Sequence, residues 1–114
     1  MQGWYGFDLD GTLAFYDHWR GDHHIGKPIP AMVQRLKKHL QRGDVCKIFT
    51  ARASNRNPET ISLIQDWTEK VVGQRLEVTC EKDFGCLRIY DDRAVQVIPN
   101  TGKIVTAINK MKEK

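Results

Sequence analysis

The chain has 114 residues, 40% hydrophobic and 28% charged, which predicts one globular domain, residues 1–114, and leaves no room for a core plus a second folded unit. No apolar run approaches membrane-spanning length and the N-terminus lacks the basic-then-apolar pattern of a secretion signal, so a cytoplasmic protein with no membrane partner is expected. The balance of 18 Lys and Arg against 14 Asp and Glu, a formal charge of +4, favours acidic partners such as phosphorylated compounds or nucleic acid without choosing between them.

The first element is an apolar run, Trp4 to Phe7, that reads as a buried strand running out into a loop, Asp8-Leu9-Asp10-Gly11-Thr12-Leu13. Two carboxylates at a strand end are costly unless a cation or hydrogen bonds compensate them, so the pattern points to a metal site more than to packing. Residues Ala14 to Lys27, rich in aromatics, His and charge and without a clean period, read as a substrate-side loop. Within it Trp19 and Arg20 are suited to stacking on, and pairing with, a nucleotide. His18, His23 and His24 have no strong metal-ligand spacing and read as solvated or phosphate-facing.

Lys27-Pro28-Ile29-Pro30 marks a helix start, and Met32, Val33, Leu36 and Leu40 give it an apolar face over about 30 to 42. Val45 to Phe49 is a second strand, ending at Thr50-Ala51-Arg52. Asn57-Pro58-Glu59 opens a second helix that Gly73 closes. Arg75 to Cys80 and Cys86 to Tyr90 are the third and fourth strands, the last ending at Asp91-Asp92. Strands alternating with helices predict a parallel sheet with right-handed crossovers. Only Arg93 and Ala94 separate the fourth strand's acidic end from Val95 to Ile98, too few for a parallel crossover, so that segment should turn back as a hairpin partner or edge strand. Ile104, Val105, Ile108 and Met111 describe a final helix. Cys46, Cys80 and Cys86 are odd in number, lack metal-finger spacing and read as reduced thiols.

Residues 8 to 13 resemble the first motif of the haloacid dehalogenase-like superfamily, Asp-x-Asp-x-Thr followed by an apolar residue. The resemblance extends as an ordered set to about residue 92. Ile48-Phe49-Thr50 is similar to the second motif and Arg88-Ile89-Tyr90-Asp91-Asp92 to the fourth, with Lys82 chosen by position as the basic residue between them. It implies an α/β, three-layer, Rossmann-like parallel sheet in the order 3-2-1-4 with flanking helices, and no cap domain beyond the 14–27 loop. It further implies that Asp8 is the nucleophile and Asp10 the general acid and base. Thr50 would hold a nonreacting phosphate oxygen and Lys82 would neutralise the nucleophile and the phosphoryl group. Mg²⁺ would be bound by Asp8, the backbone carbonyl of Asp10, and Asp91, with Asp92 direct or through water. Gly11 and Thr12 are counted with the substrate-binding residues, and the guanidinium of Arg52 fits a second phosphate contact.

The expected activity is therefore that of a Mg²⁺-dependent phosphomonoester phosphatase forming an aspartyl-phosphate, with a nucleotide or a phosphorylated polynucleotide end among its substrates. The rival readings are a noncatalytic phosphate- or nucleic-acid-binding module on the same fold, and a phosphotransferase. The sequence leaves the oligomeric state open.

Overall fold

The structure, a computed structural model, describes residues 2–105. Its architecture is α/β, a four-stranded sheet in the order β3-β2-β1-β4 whose paired strands all run parallel. The strands are β1 (Trp4–Phe7), β2 (Val45–Phe49), β3 (Glu77–Thr79) and β4 (Cys86–Tyr90), and the helices are α1 (Pro30–Gln41) and α2 (Pro58–Val72). Both helices carry Pro in their first turn, where no intrahelical N–H is lost. The Asn57 side chain caps α2 by accepting from the Glu59 N–H at 2.9 Å.

From β1 to β2 to β3 the chain steps in one direction across the sheet, and two right-handed crossovers in one direction place both helices on the same face. That face is the core: Phe7, Cys46 and Ile48 of the sheet pack with Val33, Leu36 and Ile64 of the helices. Burying a side chain such as Phe7, Leu36 or Ile48 contributes about 1.5–3 kcal/mol. The end of α1 is fixed to the sheet by polar contacts. Buried His39 places Nε2 3.0 Å from the Tyr90 hydroxyl and Nδ1 2.9 Å from Asp44, and its ring centroid lies 4.3 Å from that of Tyr5.

The opposite face carries Trp4, Lys47 and Phe49, with the Lys47 ammonium 4.7 Å from the Trp4 ring centre. Among the described residues its cover is not a helix but the segment 80–85, which returns the chain from β3 to β4. So short a stretch reaches about 20 Å when extended, and it must cross three strand spacings of about 4.8 Å each. It therefore runs directly over the face, pinned where Asp83 accepts from Trp4 Nε1 at 2.8 Å and Gly85 accepts from the Trp4 N–H at 2.8 Å.

After β4 the chain does turn into a hairpin-like pair, but its partner is not β4. Val97 bridges Ile104 in antiparallel fashion, and the N–H groups of Ile98 and Val105 donate to Lys103 and Gln96 at 2.8 and 2.9 Å. Ile104 and Val105, expected to begin a helix, belong to this pair instead. The rest of that expected helix lies outside the described residues.

Candidate active site

The carboxyl ends of the parallel strands supply the site. The Asp8 N–H donates to the Tyr90 carbonyl at 2.9 Å, which locks the end of β1 beside the end of β4. The turn that follows is closed by Leu9 and Ala14: the N–H groups of Leu13 and Ala14 donate to the Leu9 carbonyl at 3.0 and 2.9 Å, and the Gly11 N–H donates to Ala14 at 2.8 Å. Gly11 has φ +87°, and any side chain there would collide with the Asp92 carboxylate. Its missing side chain leaves the space beside the turn that the Asp92 carboxylate fills.

One carboxylate oxygen each from Asp8, Asp91 and Asp92 lie within 4.8 Å of one another. Burial, a hydrogen bond shared with Asp92, and the charges of Asp91 and Asp92 push the Asp8 carboxyl up to about 7. Thr12 adds a long contact, its hydroxyl 3.4 Å from Asp8 Oδ2. Three hard oxygen donors repelling one another are the donor set a small divalent cation takes, and Mg²⁺ accepts one or two such carboxylates with waters completing its octahedron. The residues present thus fit that ion. Asp10 contributes no carboxylate to this cluster.

The Asp10 side chain goes to Arg52 instead. The guanidinium donates Nε to Oδ2 and Nη2 to Oδ1, both at 2.8 Å, in a parallel fork. Arg52 is only 7% exposed along its side chain, also donates to the His24 carbonyl at 2.8 Å, and lies 4.8 Å above the Trp19 ring. It is therefore held as a brace between the β1 turn and the 14–27 loop rather than projecting as an unpaired phosphate ligand. Thr50 is buried at the end of β2, where its N–H donates to Thr79 at 2.9 Å and its Oγ1 accepts from the Arg52 N–H at 3.2 Å. Its hydroxyl hydrogen remains to be donated elsewhere.

A cavity of about 480 Å³ opens over these groups, lined by Asp8, Asp10, Thr50, Arg52 and Asp91 together with Tyr16, Trp19, Cys80 and Arg93. Gly11, Thr12 and Arg20 are not in its lining: Gly11 and Thr12 shape the turn beneath it, and Arg20 pairs with Asp17 at 2.9 Å. Lys82 is placed elsewhere, a correction to its expected role. It is exposed in the segment 80–85, next to the Asp83 that bonds Trp4 at the amino end of β1, and its charge acts on Cys86 at the start of β4. A crossover this short must leave the carboxyl end of β3 at once, so a residue three beyond Thr79 has already travelled away from the site. Among the described residues the cations lining the cavity are Arg52 and Arg93. Arg93 follows Asp91-Asp92 directly in sequence, and a cation beside an acidic strand end was the signal available for it; Tyr16 and Cys80 carried none.

A solved structure of a conserved protein from Bacteroides thetaiotaomicron is similar to this chain, at 22% identity and a TM-score of 0.57 over 99% of this chain and 91% of that chain. The likeness is one of fold. No protein-family model and no curated protein matches the chain.

Proposed function

We propose that the protein is a cytoplasmic, Mg²⁺-dependent phosphomonoester phosphatase that works through an aspartyl-phosphate on Asp8. The observation that supports this most is the joint placement of Asp8 in an acidic cluster that no cation pairs among the described residues and Asp10 in a separate, Arg-braced position on the same cavity wall. A simple anion-binding module has no use for three clustered carboxylates, which would repel its ligand.

In this reading Asp8, Asp91 and Asp92 hold the cation, which when bound neutralises the carboxylates and the phosphoryl oxygens so that one anion can approach another. Asp8 Oδ forms a bond to phosphorus as the bond to the ester oxygen breaks, and Asp10, once it has taken a proton from solvent and given up one of its two bonds to Arg52, passes that proton to the departing oxygen. Asp10 then takes a proton from the water that cleaves the acyl-phosphate, releasing phosphate and regenerating Asp8. Thr50 donates its hydroxyl hydrogen to a nonreacting phosphate oxygen, and Arg93 supplies positive charge at the cavity rim.

The test is hydrolysis of a phosphomonoester before and after thorough chelation. Activity that vanishes with EDTA and returns with Mg²⁺ is the expected result. Activity that survives chelation would remove the cation from the reading.

A further inference from the structure

Asp10 stands in the walls of two cavities. Beyond the one over Asp8 lies a second, of about 420 Å³, lined by Phe15, Tyr16, His18, Arg20, His24 and Lys27 among others, and it shares Asp10, Tyr16 and Arg52 with the first. Its walls are built by backbone contacts. The Phe15 N–H donates to Lys27 at 2.8 Å, Ala14 bridges Pro28, and the Ile29 N–H donates to Leu13 at 2.8 Å. Gly26 lies so near that a side chain there would collide with the Phe15 carbonyl oxygen.

The lining has a definite chemistry. Arg52 is matched by Asp10, and Arg20 by Asp17, which also lies 3.1 Å from His18. Lys27 makes no ion pair among the described residues, so its charge is the surplus of the cavity. Beside it Phe15 and Tyr16 are 59% and 39% exposed, flat apolar surface left in water. Trp19 is already engaged by Arg52 on the other cavity, so the rings available here are Phe15 and Tyr16.

We infer that this second cavity is the leaving-group subsite and that it takes a nucleoside bearing a second phosphate, so that the preferred substrate is a 5′-phosphorylated nucleotide carrying a further phosphate on its 3′ oxygen. The inference rests on the phosphatase reading. The departing oxygen leaves on the side away from the Asp8 carboxylate and takes its proton from Asp10, so whatever it is attached to lies on the far side of Asp10, where this cavity opens. Its volume is within the range of small-molecule sites, about 300–1,000 Å³. Phe15 and Tyr16 give the base a stacking surface and Lys27 pairs with the second phosphate.

The experiment measures kcat/KM, in the presence of Mg²⁺, for adenosine 5′-monophosphate, adenosine 3′,5′-bisphosphate and a 5′-phosphorylated oligonucleotide, on the unaltered chain and on Lys27→Ala, Lys27→Arg and Phe15→Ala. A charge-assisted hydrogen bond that only the bisphosphate can form should raise its kcat/KM about tenfold over the monophosphate. Lys27→Ala should bring that ratio toward one by lowering the bisphosphate alone, Phe15→Ala should lower every nucleotide and leave the ratio in place, and Lys27→Arg should keep it. A further rise on the oligonucleotide assigns the second phosphate to a strand end, and its absence assigns it to a free nucleotide. Turnover with a bisphosphate-to-monophosphate ratio of one, or a ratio untouched by Lys27→Ala, overturns the subsite alone. No turnover of these substrates or of p-nitrophenyl phosphate overturns the phosphatase reading and the subsite with it.

Discussion

Asp8 and Asp44 are carboxylates of one small domain in opposite electrostatic settings. Asp44, at the amino end of β2, accepts from His39 and Arg42, and these hydrogen bonds hold its carboxyl below the ordinary value. Asp8, at the carboxyl end of β1, is half-buried against Asp91 and Asp92 and is pushed up to about 7. The difference separates a group that ties α1 to the sheet from one held at a cost to stability, and costs of that kind are retained where a bound cation or a reacting group offsets them. The fold makes both from the same strands. Parallel pairing brings three acidic side chains to one end of the sheet, while the return of the chain from α1 brings His39 and Asp44 together at the other.

The largest effect that bears on this contrast is on turnover. On the phosphatase reading Asp8→Asn keeps the shape of the side chain but removes both the nucleophile and an anionic ligand, and should lower kcat by on the order of 10⁴-fold or more. On the same reading Asp10→Asn removes proton transfer and weakens the fork to Arg52, and should cost about 10²- to 10⁴-fold, more with a poor leaving group than with a good one. Steady-state rates on alkyl and aryl phosphates separate the two. If Asp44→Asn slowed turnover as much as either, the division between the two ends of the sheet would be lost.

A smaller effect is on the stability of the metal-free protein. The Asp8 carboxyl titrates near 7 in the fold and near the ordinary 3.8 when unfolded, so the folded state binds the proton more tightly. Its contribution to stability therefore falls as the pH rises from about 4 to about 7 and is constant above. Asp8→Asn should raise the Tm at pH 8 in EDTA by about 4 °C, the change expected of roughly 1 kcal/mol in a domain of this size. At pH 4 the gain should be absent, and Mg²⁺ should narrow it at pH 8 by stabilising the unaltered chain. Equal melting curves at pH 8 without metal would mean that the acidic cluster carries no repulsion.

The smallest effect is expected at Asp44. Its folded carboxyl titrates below the ordinary 3.8, so its stabilising contribution is present above that pH and is lost as the pH falls below it. Asp44→Asn should lower the Tm at pH 7 by a few degrees and converge with the unaltered chain in strong acid, the opposite sign to Asp8→Asn. A pH-independent difference would assign the loss to packing of His39 rather than to charge.

Much of this arrangement was legible before the structure. Trp4 to Phe7, Val45 to Phe49 and Cys86 to Tyr90 coincide with β1, β2 and β4, because each is a short apolar run bounded by polar or turn residues, and the strand order is the one that the superfamily resemblance implied. Periodicity and turn chemistry are local, and they carried these elements. What escaped depended on where a side chain ends up after a turn. Lys82 has the sequence position of a site lysine, but the 80–85 crossover is too short to keep it near Asp8. Arg52 and Asp10 are far apart in sequence and their fork arises only when β1 and β2 pair in register. Trp19 and Arg20 do line cavities, but no local pattern shows that Arg52 packs on the one and Asp17 pairs with the other. Ile104 and Val105 have helical spacing with later residues, yet pair with 96–98 across a turn with Asn100 at φ 64°.

The central claim, that Asp8 becomes covalently phosphorylated, is tested most directly by mass spectrometry of acid-quenched Asp10→Asn after exposure to Mg²⁺ and p-nitrophenyl phosphate, whose leaving group departs without a proton from Asp10. With attack intact and hydrolysis of the acyl-phosphate slowed, one phosphoryl group should accumulate on the peptide that contains Asp8, decay when substrate is removed, and be absent from Asp8→Asn. Steady turnover by the unaltered chain with no phosphoryl group on Asp8 at any quench time, in either the unaltered chain or Asp10→Asn, would contradict it.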